Sequence, residues 1–267
     1  MRYLRVKRII DMHYPTISPN DLATHARALM RDLGLSVIPV VSESKILGIV
    51  KRYNVLMLTS TKSNALVNDI MENPQLVFND NDDLKKAVKI MIEFDEWHAP
   101  VTDSRSGKYL GMISLSSYMR ALGRSYLSLS NKVMIENIMT KEVEYVLPDD
   151  HISRLWRKMV TLRISGFPVV RSKKTLEVIG MITQHDLLRK GYTRIELESE
   201  RGPKKGVKVR DAMTTPAVTL KPYDTLDKAL TIMIEKDIGR IPVVDHEGKL
   251  KGIIDRSDVC MELIKLR

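Results

Sequence analysis

Two places in the sequence set an oxygen-bearing side chain three residues ahead of an aspartate, directly after an apolar run: Thr183 and Asp186 in GMITQHD, and Asp255 and Asp258 in GIIDRSD. A carboxylate beside a cleft can accept hydrogen bonds from both hydroxyls of a vicinal diol such as that of a ribose, and its charge strengthens them. The same spacing at the start of a helix is a capping box, in which the first side chain takes a backbone N–H and the acid complements the helix dipole. Asp186 and Asp258 admit both readings, whereas Asp255 reads as a cap. A phosphate, in turn, needs donors and positive charge, which a helix N-terminus with a hydroxyl cap supplies.

The elements that must position these groups recur along the chain. The prolines Pro39, Pro100, Pro168 and Pro242 each open a valine-rich run. Met30, Met91, Met159 and Met233 each lie nine residues earlier, and Gly48, Gly111, Gly180 and Gly252 open a second apolar run after each proline. Further upstream a second methionine recurs, read as Met12, Met71, Met139 and Met213. Such internal repetition decides the architecture before any local detail does. Each unit reads as a short strand, a helix, two strands and a closing helix, because apolar residues at helical spacing precede two extended runs joined by a turn such as DHEGK. The proline is expected at the first position of its strand, where no N–H is needed. Met30, Met91, Met159 and Met233 should face the core as gap-filling side chains rather than serve a cofactor. A unit of this size cannot bury all its faces alone, so neighbouring units should pack in pairs.

Composition narrows the classes. Among 267 residues, 43 Lys and Arg stand against 33 Asp and Glu, a formal charge of +10 that favours anionic partners without naming one. Between Arg189 and Arg210 eight basic residues face three glutamates, with Tyr192 as a candidate stacking group. One cysteine, Cys260, excludes an intrachain disulfide. The start MRYLRVKRIIDMHY lacks a signal-peptide h-region, and no apolar run is of membrane-spanning length, so the expectation is a cytoplasmic protein without a membrane partner. The six histidines show no HxxxH spacing, and GPKKG at Gly202 lacks the ending of a P-loop. NDNDDL, residues 79–84, lacks the glycine and distal glutamate of a calcium loop and reads as a helix start. No catalytic or metal site is therefore expected.

The four units, quoted as IPVVDHEGKLKGIIDRSD and FPVVRSKKTLEVIGMITQHD in their fullest forms, resemble the cystathionine-β-synthase (CBS) motif, whose pairs make Bateman modules. The resemblance covers nearly the whole chain and implies an α/β (α+β) fold of four βαββα CBS repeats paired into two modules. These would span 1–124 (repeats about 7–60 and 65–122) and 125–267 (repeats about 133–190 and 207–267), with a basic insert at 190–206. The stretch Leu122–Lys132 between them reads as a connecting helix or a linker. The layout is similar to that of the gamma subunit of AMP-activated kinase.

What this resemblance implies is a regulatory, energy-sensing protein and no enzyme, binding AMP, ADP or ATP, or S-adenosylmethionine, in clefts between paired motifs. Residue by residue, it implies Asp186 and Asp258 as ribose acceptors, with Asn54 and Ser117 as weaker counterparts. Thr183 and Ser114 fall at the phosphate-facing hydroxyl position, where Lys51 would attract a phosphate and Asp255 repel one. Arg240 and His98 stand at the basic position two residues before the proline, where Val37 and Gly166 depart from the pattern. Thr16 and Thr219 match first-strand positions that approach the ligand, and Val243 and Ile253 are candidate adenine walls. The sharpest expectation pairs Asp186 on the ribose with Arg240 on the phosphate. An effector protein is implied as partner, and a homodimer is compatible with the pattern. Two other readings remain open at this point: nucleic-acid binding through the basic stretch, and a scaffold with empty clefts.

Overall fold

The computed structural model describes residues 4–59, 64–122, 131–194 and 206–266. The core of the basic stretch (195–205) and most of the segment between units two and three (123–130) lie outside the described residues.

Each unit is built on an antiparallel hairpin: β1 (Val37–Ser42) with β2 (Lys45–Lys51), β4 (His98–Thr102) with β5 (Tyr109–Ser114), β6 (Gly166–Val170) with β7 (Val178–Thr183), and β8 (Arg240–Val244) with β9 (Leu250–Asp255). All four hairpins break register at the same place, after Val40, Val101, Val169 and Val243, opposite or next to the repeat glycine. The helix before each hairpin, α1 (Ala23–Leu33), α3 (Leu84–Glu93), α5 (Ile152–Leu162) and α8 (Leu226–Glu235), buries Met30, Met91, Met159 and Met233 almost completely, as their spacing demanded. These helices give way to the strands through one left-handed residue each, at the repeat-equivalent positions Gly34, Asp95, Arg163 and Asp237. NDNDDL does start a helix, the Asp83 carboxylate accepting the Lys86 N–H at 2.9 Å. The closing helices are α2 (Arg52–Leu56), α4 (Leu115–Leu122), α6 (Gln184–Arg189) and α9 (Arg256–Lys265), with a short α7 (Val209–Ala212) leading into unit four.

Two expectations need correction. The first strand of each unit shrinks to one parallel bridge, Ile17 to Val40, Val146 to Val169 and Leu220 to Val243, and lengthens only in unit two, where β3 (Phe78–Asn79) runs beside β4. The proline is the third residue of its strand, not the first. In a strand a residue's N and carbonyl point to the same side. The carbonyls of Pro39, Pro168 and Pro242 accept from Ile17, Val146 and Leu220 at 3.0–3.1 Å, so the missing N–H faces only that short entry segment.

The entry segments join neighbouring units. Glu72 pairs with Ile49 and Asp11 with Met112, so units one and two exchange segments reciprocally. Thr214 with Met181 and Thr140 with Ile253 do the same for units three and four. Glycine is required opposite, because a Cβ on Gly48, Gly111, Gly180 or Gly252 would stand within 3.0 Å of the incoming segment. This contact also corrects the methionine register. Met71, Met139 and Met213 lie against Gly48, Gly252 and Gly180, but Ile10 takes that place at Gly111, two residues before the Met12 expected there, and Met12 is 67% exposed. The helices pack the other way: one core joins units two and four, and a second joins units one and three.

Candidate functional site

Ser165 and Ser36 stand three residues before their prolines, and Arg240 and His98 stand two residues before theirs. The structure brings these together across neighbouring units. The Arg240 guanidinium donates to Ser165 Oγ, and His98 Nδ1 lies 3.5 Å from Ser36 Oγ. Two equivalent clefts thus place a side chain of the second member of a pair at the strand end of the first. Just beyond each serine the closing helix begins, tied back by Gln184 N–H to Ser165 O and by Arg52 N–H to Ser36 O, both at 2.9 Å.

In the cleft of units three and four, Thr183 caps α6. Its Oγ1 accepts the Asp186 N–H at 3.2 Å, while Asp186 Oδ2 accepts the Thr183 N–H at 2.9 Å and the Thr183 hydroxyl at 2.6 Å. Asp186 Oδ1 accepts the hydroxyl of Thr214, from the entry segment of unit four, at 2.9 Å. Asp186 is only 6% exposed. Of roughly four lone-pair directions on a carboxylate, three are used, which leaves room for one further donor before Thr214 must turn away. At α9, Asp255 Oδ1 caps the N–H groups of Ser257 (2.8 Å) and Asp258 (3.3 Å), as its position implied. Asp258 Oδ2 accepts only the Asp255 N–H at 2.9 Å, so Asp258 is the more available of the two acids. Burial, then the neighbouring Asp255, push its carboxyl up to about 7.

Arg240 is the cation of this cleft. Its Nε lies 3.8 Å from Asp255 Oδ2, and its guanidinium lies 4.7 Å from the centroid of the Trp97 ring of unit two. Burial pulls its pKa below the ordinary value, while Asp255, Asp95 and Asp258 act against that. Thr219 is half-buried and Thr16 exposed, each just before a buried residue of the entry bridge. Ile253 is half-buried on β9, but Val243 is fully buried in a helix-packed core, since alternation along β8 turns it away from the cleft.

The cleft of units one and two is differently charged. Lys51 is engaged by Glu96 at 2.5 Å, and Glu96 is 8% exposed, so the cation expected to attract a phosphate is already neutralised. Asn54 Oδ1 accepts the Lys51 N–H at 2.7 Å, and its amide donates to Glu72 at 2.9 Å, where the Tyr53 hydroxyl also points. Ser114 and Ser117 close on one another as a cap, at 2.9 and 3.0 Å. Burial, then Arg256 and Arg52, push the His98 imidazolium down to about 3, so the ring is neutral at pH 7 and supplies no charge to an anion. Arg52, pushed down to about 10 by burial against the pull of Tyr14 and Asp186, donates to the carbonyls of Gly34 and Leu35 and finishes α1.

The repeat position three residues before each proline, filled by Ser36, Trp97, Ser165 and Gly239, went unread as a site position. It was visible in the aligned repeats, though four dissimilar side chains hide it. Tyr192, the candidate stacking group, packs its ring against the core of units one and three, and its carbonyl accepts the Trp156 indole N–H at 3.1 Å. Among the described residues no cluster of three or more His, Cys, Asp or Glu could hold a metal, and no helix is long and apolar enough to cross a membrane.

Comparison with known proteins agrees with this arrangement. The CBS domain family matches four times, at residues 6–60, 67–124, 135–192 and 209–265. Protein MJ1225 of Methanocaldococcus jannaschii is 23% identical over 96% of this chain and 98% of its own. Its crystal structure, described as that of a candidate archaeal homolog of g-AMPK, superposes with a TM-score of 0.83 over 97% of this chain and all of that one. Protein MJ1404 of the same organism is 27% identical over 98% of this chain, which spans 62% of that protein's length. A conserved protein from Pyrococcus horikoshii shares the fold at 24% identity and a TM-score of 0.66, covering 97% of this chain and 100% of its own. With four family matches laid end to end over four hairpin units, the chain belongs to the CBS domain family.

Proposed function

We propose that the protein is a regulatory, energy-sensing protein that binds an adenine nucleotide in the cleft between units three and four and carries no catalytic centre. The observation that supports this reading best is the Arg240 contact with Ser165. It sets a mostly buried guanidinium across the cleft from a strand pair whose next helix opens on Thr183 and Asp186. A phosphate would meet Arg240 and the Thr183 end of α6, while the ribose diol would meet Asp186 from one side of the cleft or Asp258 from the other. Units one and two form the first module, 1–124, and units three and four the second, 125–267. The first module is the weaker anion site, because Glu96 neutralises Lys51 and His98 is uncharged. AMP, ADP and ATP suit this constellation better than S-adenosylmethionine, whose sulfonium would face Arg240. Occupancy reaches an effector protein in the cytoplasm only if the ligand binds one packing of the units better than another.

Calorimetric titration of the whole chain with AMP, ADP, ATP and S-adenosylmethionine tests this. The expected result is saturable binding of at least one nucleotide, weakened by Arg240→Ala and by Asp186→Ala or Asp258→Ala. Binding that falls steeply with salt and has no fixed stoichiometry would instead indicate general polyanion attraction. The absence of any heat or thermal shift with all four ligands would leave a scaffold.

A further inference from the structure

Trp97 and Gly239 hold the same repeat position in units two and four, three residues before their prolines. A Cβ on Gly239 would stand 2.7 Å from Cζ3 of the Trp97 ring, so the indole lies directly on the backbone at the start of β8. The next residue on that strand is Arg240, and its guanidinium sits 4.7 Å from the ring centroid. Arg256, the first residue of α9, lies 6.0 Å from the same centroid, and its own guanidinium is tied to Asp237 at 3.0 Å. Asp237 also accepts from Arg120 of unit two at 2.8 Å, and Trp97 is anchored in its own unit by the Leu115 N–H to its carbonyl at 3.1 Å.

We propose that Trp97 is a positioning residue for the cleft between units three and four: a side chain of the other pair holds Arg240 against its face and so keeps the cation beside Ser165. The inference rests on the nucleotide reading of that cleft. An arginine has many rotamers, and a flat indole that offers a cation–π face restricts them before any ligand arrives. Asp255 already lies 3.8 Å from its Nε, and without the indole Arg240 is free to leave Ser165 and close fully on that carboxylate, which would offset more of the charge a phosphate needs. Because Trp97 belongs to unit two, any ligand that draws on Arg240 in this pose also favours a contact between the two pairs. Filling of one cleft is thereby felt in the other half of the molecule.

The test compares AMP with adenosine, which lacks the phosphate, on Trp97→Leu and Trp97→Phe. Trp97→Leu should bind AMP about tenfold more weakly and adenosine within about twofold of the parent, with Trp97→Phe between the two for AMP. Equal losses for both ligands would mark a packing role only and overturn the inference, as would unchanged AMP affinity. A parent that binds neither compound overturns the nucleotide reading and this role with it. The contact is checked without ligand in a Trp156→Phe background, where Trp97 is the one remaining tryptophan. There, Arg240→Ala should shift the emission of Trp97, and an unaltered spectrum would contradict the stacking.

Discussion

Asp255 and Asp258 bracket the first turn of α9, each accepting the other's backbone N–H, at 3.3 Å into Asp255 and 2.9 Å into Asp258. The geometry is that of a capping box, but both members are acids, and the cost falls on Asp258. Burial and Asp255 raise its carboxyl from the ordinary carboxylate range to about 7. A raised acid binds its proton more tightly in the folded state. Its contribution is therefore fully present below the unfolded value near 4 and is lost as pH rises toward 7. Asp258→Asn, which keeps the acceptor, should raise the melting temperature relative to the parent at pH 8 by at least about 2 °C, the shift that about 1 kcal/mol produces in a chain of this size. The gain should shrink at pH 5. A gain that is equal at both pH values would mean that Asp258 titrates normally.

His98 gives the opposite slope. Its folded value near 3 lies below the ordinary 6.5, so the folded state resists protonation and stability is lost as pH falls from about 6.5 toward 3. His98→Asn should flatten the acid limb of a melting-temperature profile in that window. An unchanged acid limb would place the imidazole in water instead.

The exchange of entry segments makes a sharp steric demand at Gly180, where a Cβ would stand 2.7 Å from the Thr214 carbonyl oxygen and 3.2 Å from Met213 Sδ. Gly180→Ala must push that segment away, a strain of about 1–3 kcal/mol. Because Thr214 occupies an acceptor direction of Asp186 that a ribose diol would use, pushing it away should leave nucleotide affinity at or above the parent's even as stability falls. Denaturant melts and titration on one sample check both, and an alanine variant as stable as the parent would show that the segment yields freely.

The fourfold frame was legible in the sequence because prolines, glycines and helix methionines have fixed places in a hairpin unit, and Met30, Met91, Met159 and Met233 all proved buried. Met12 misled because methionines were aligned by type, whereas the structure selects the side chain that faces Gly111, which is Ile10. Met91→Ala should cost about 2–5 kcal/mol by opening a cavity, and Met12→Ala should stay within about 0.5 kcal/mol as an exposed change.

Of the candidate site, the caps were readable from local spacing and the place of Arg240 from the resemblance to CBS motifs. The Lys51–Glu96 pair and the Trp97 stack were not, because each joins different units and no local pattern in either partner announces the other. His98 looked basic by type, but burial decides its charge. Asn54 and Ser117 already marked the clefts as unequal in the sequence, whereas the loss of positive charge at Lys51 rests on a contact over a long sequence separation.

Recognition of a nucleotide by Arg240 is tested most directly by where that nucleotide binds. A crystal structure of the full chain grown with AMP should hold the phosphate within hydrogen-bonding distance of Arg240, with the ribose hydroxyls at Asp186 or Asp258. A nucleotide seated instead between units one and two, or on the surface away from Arg240, would contradict it.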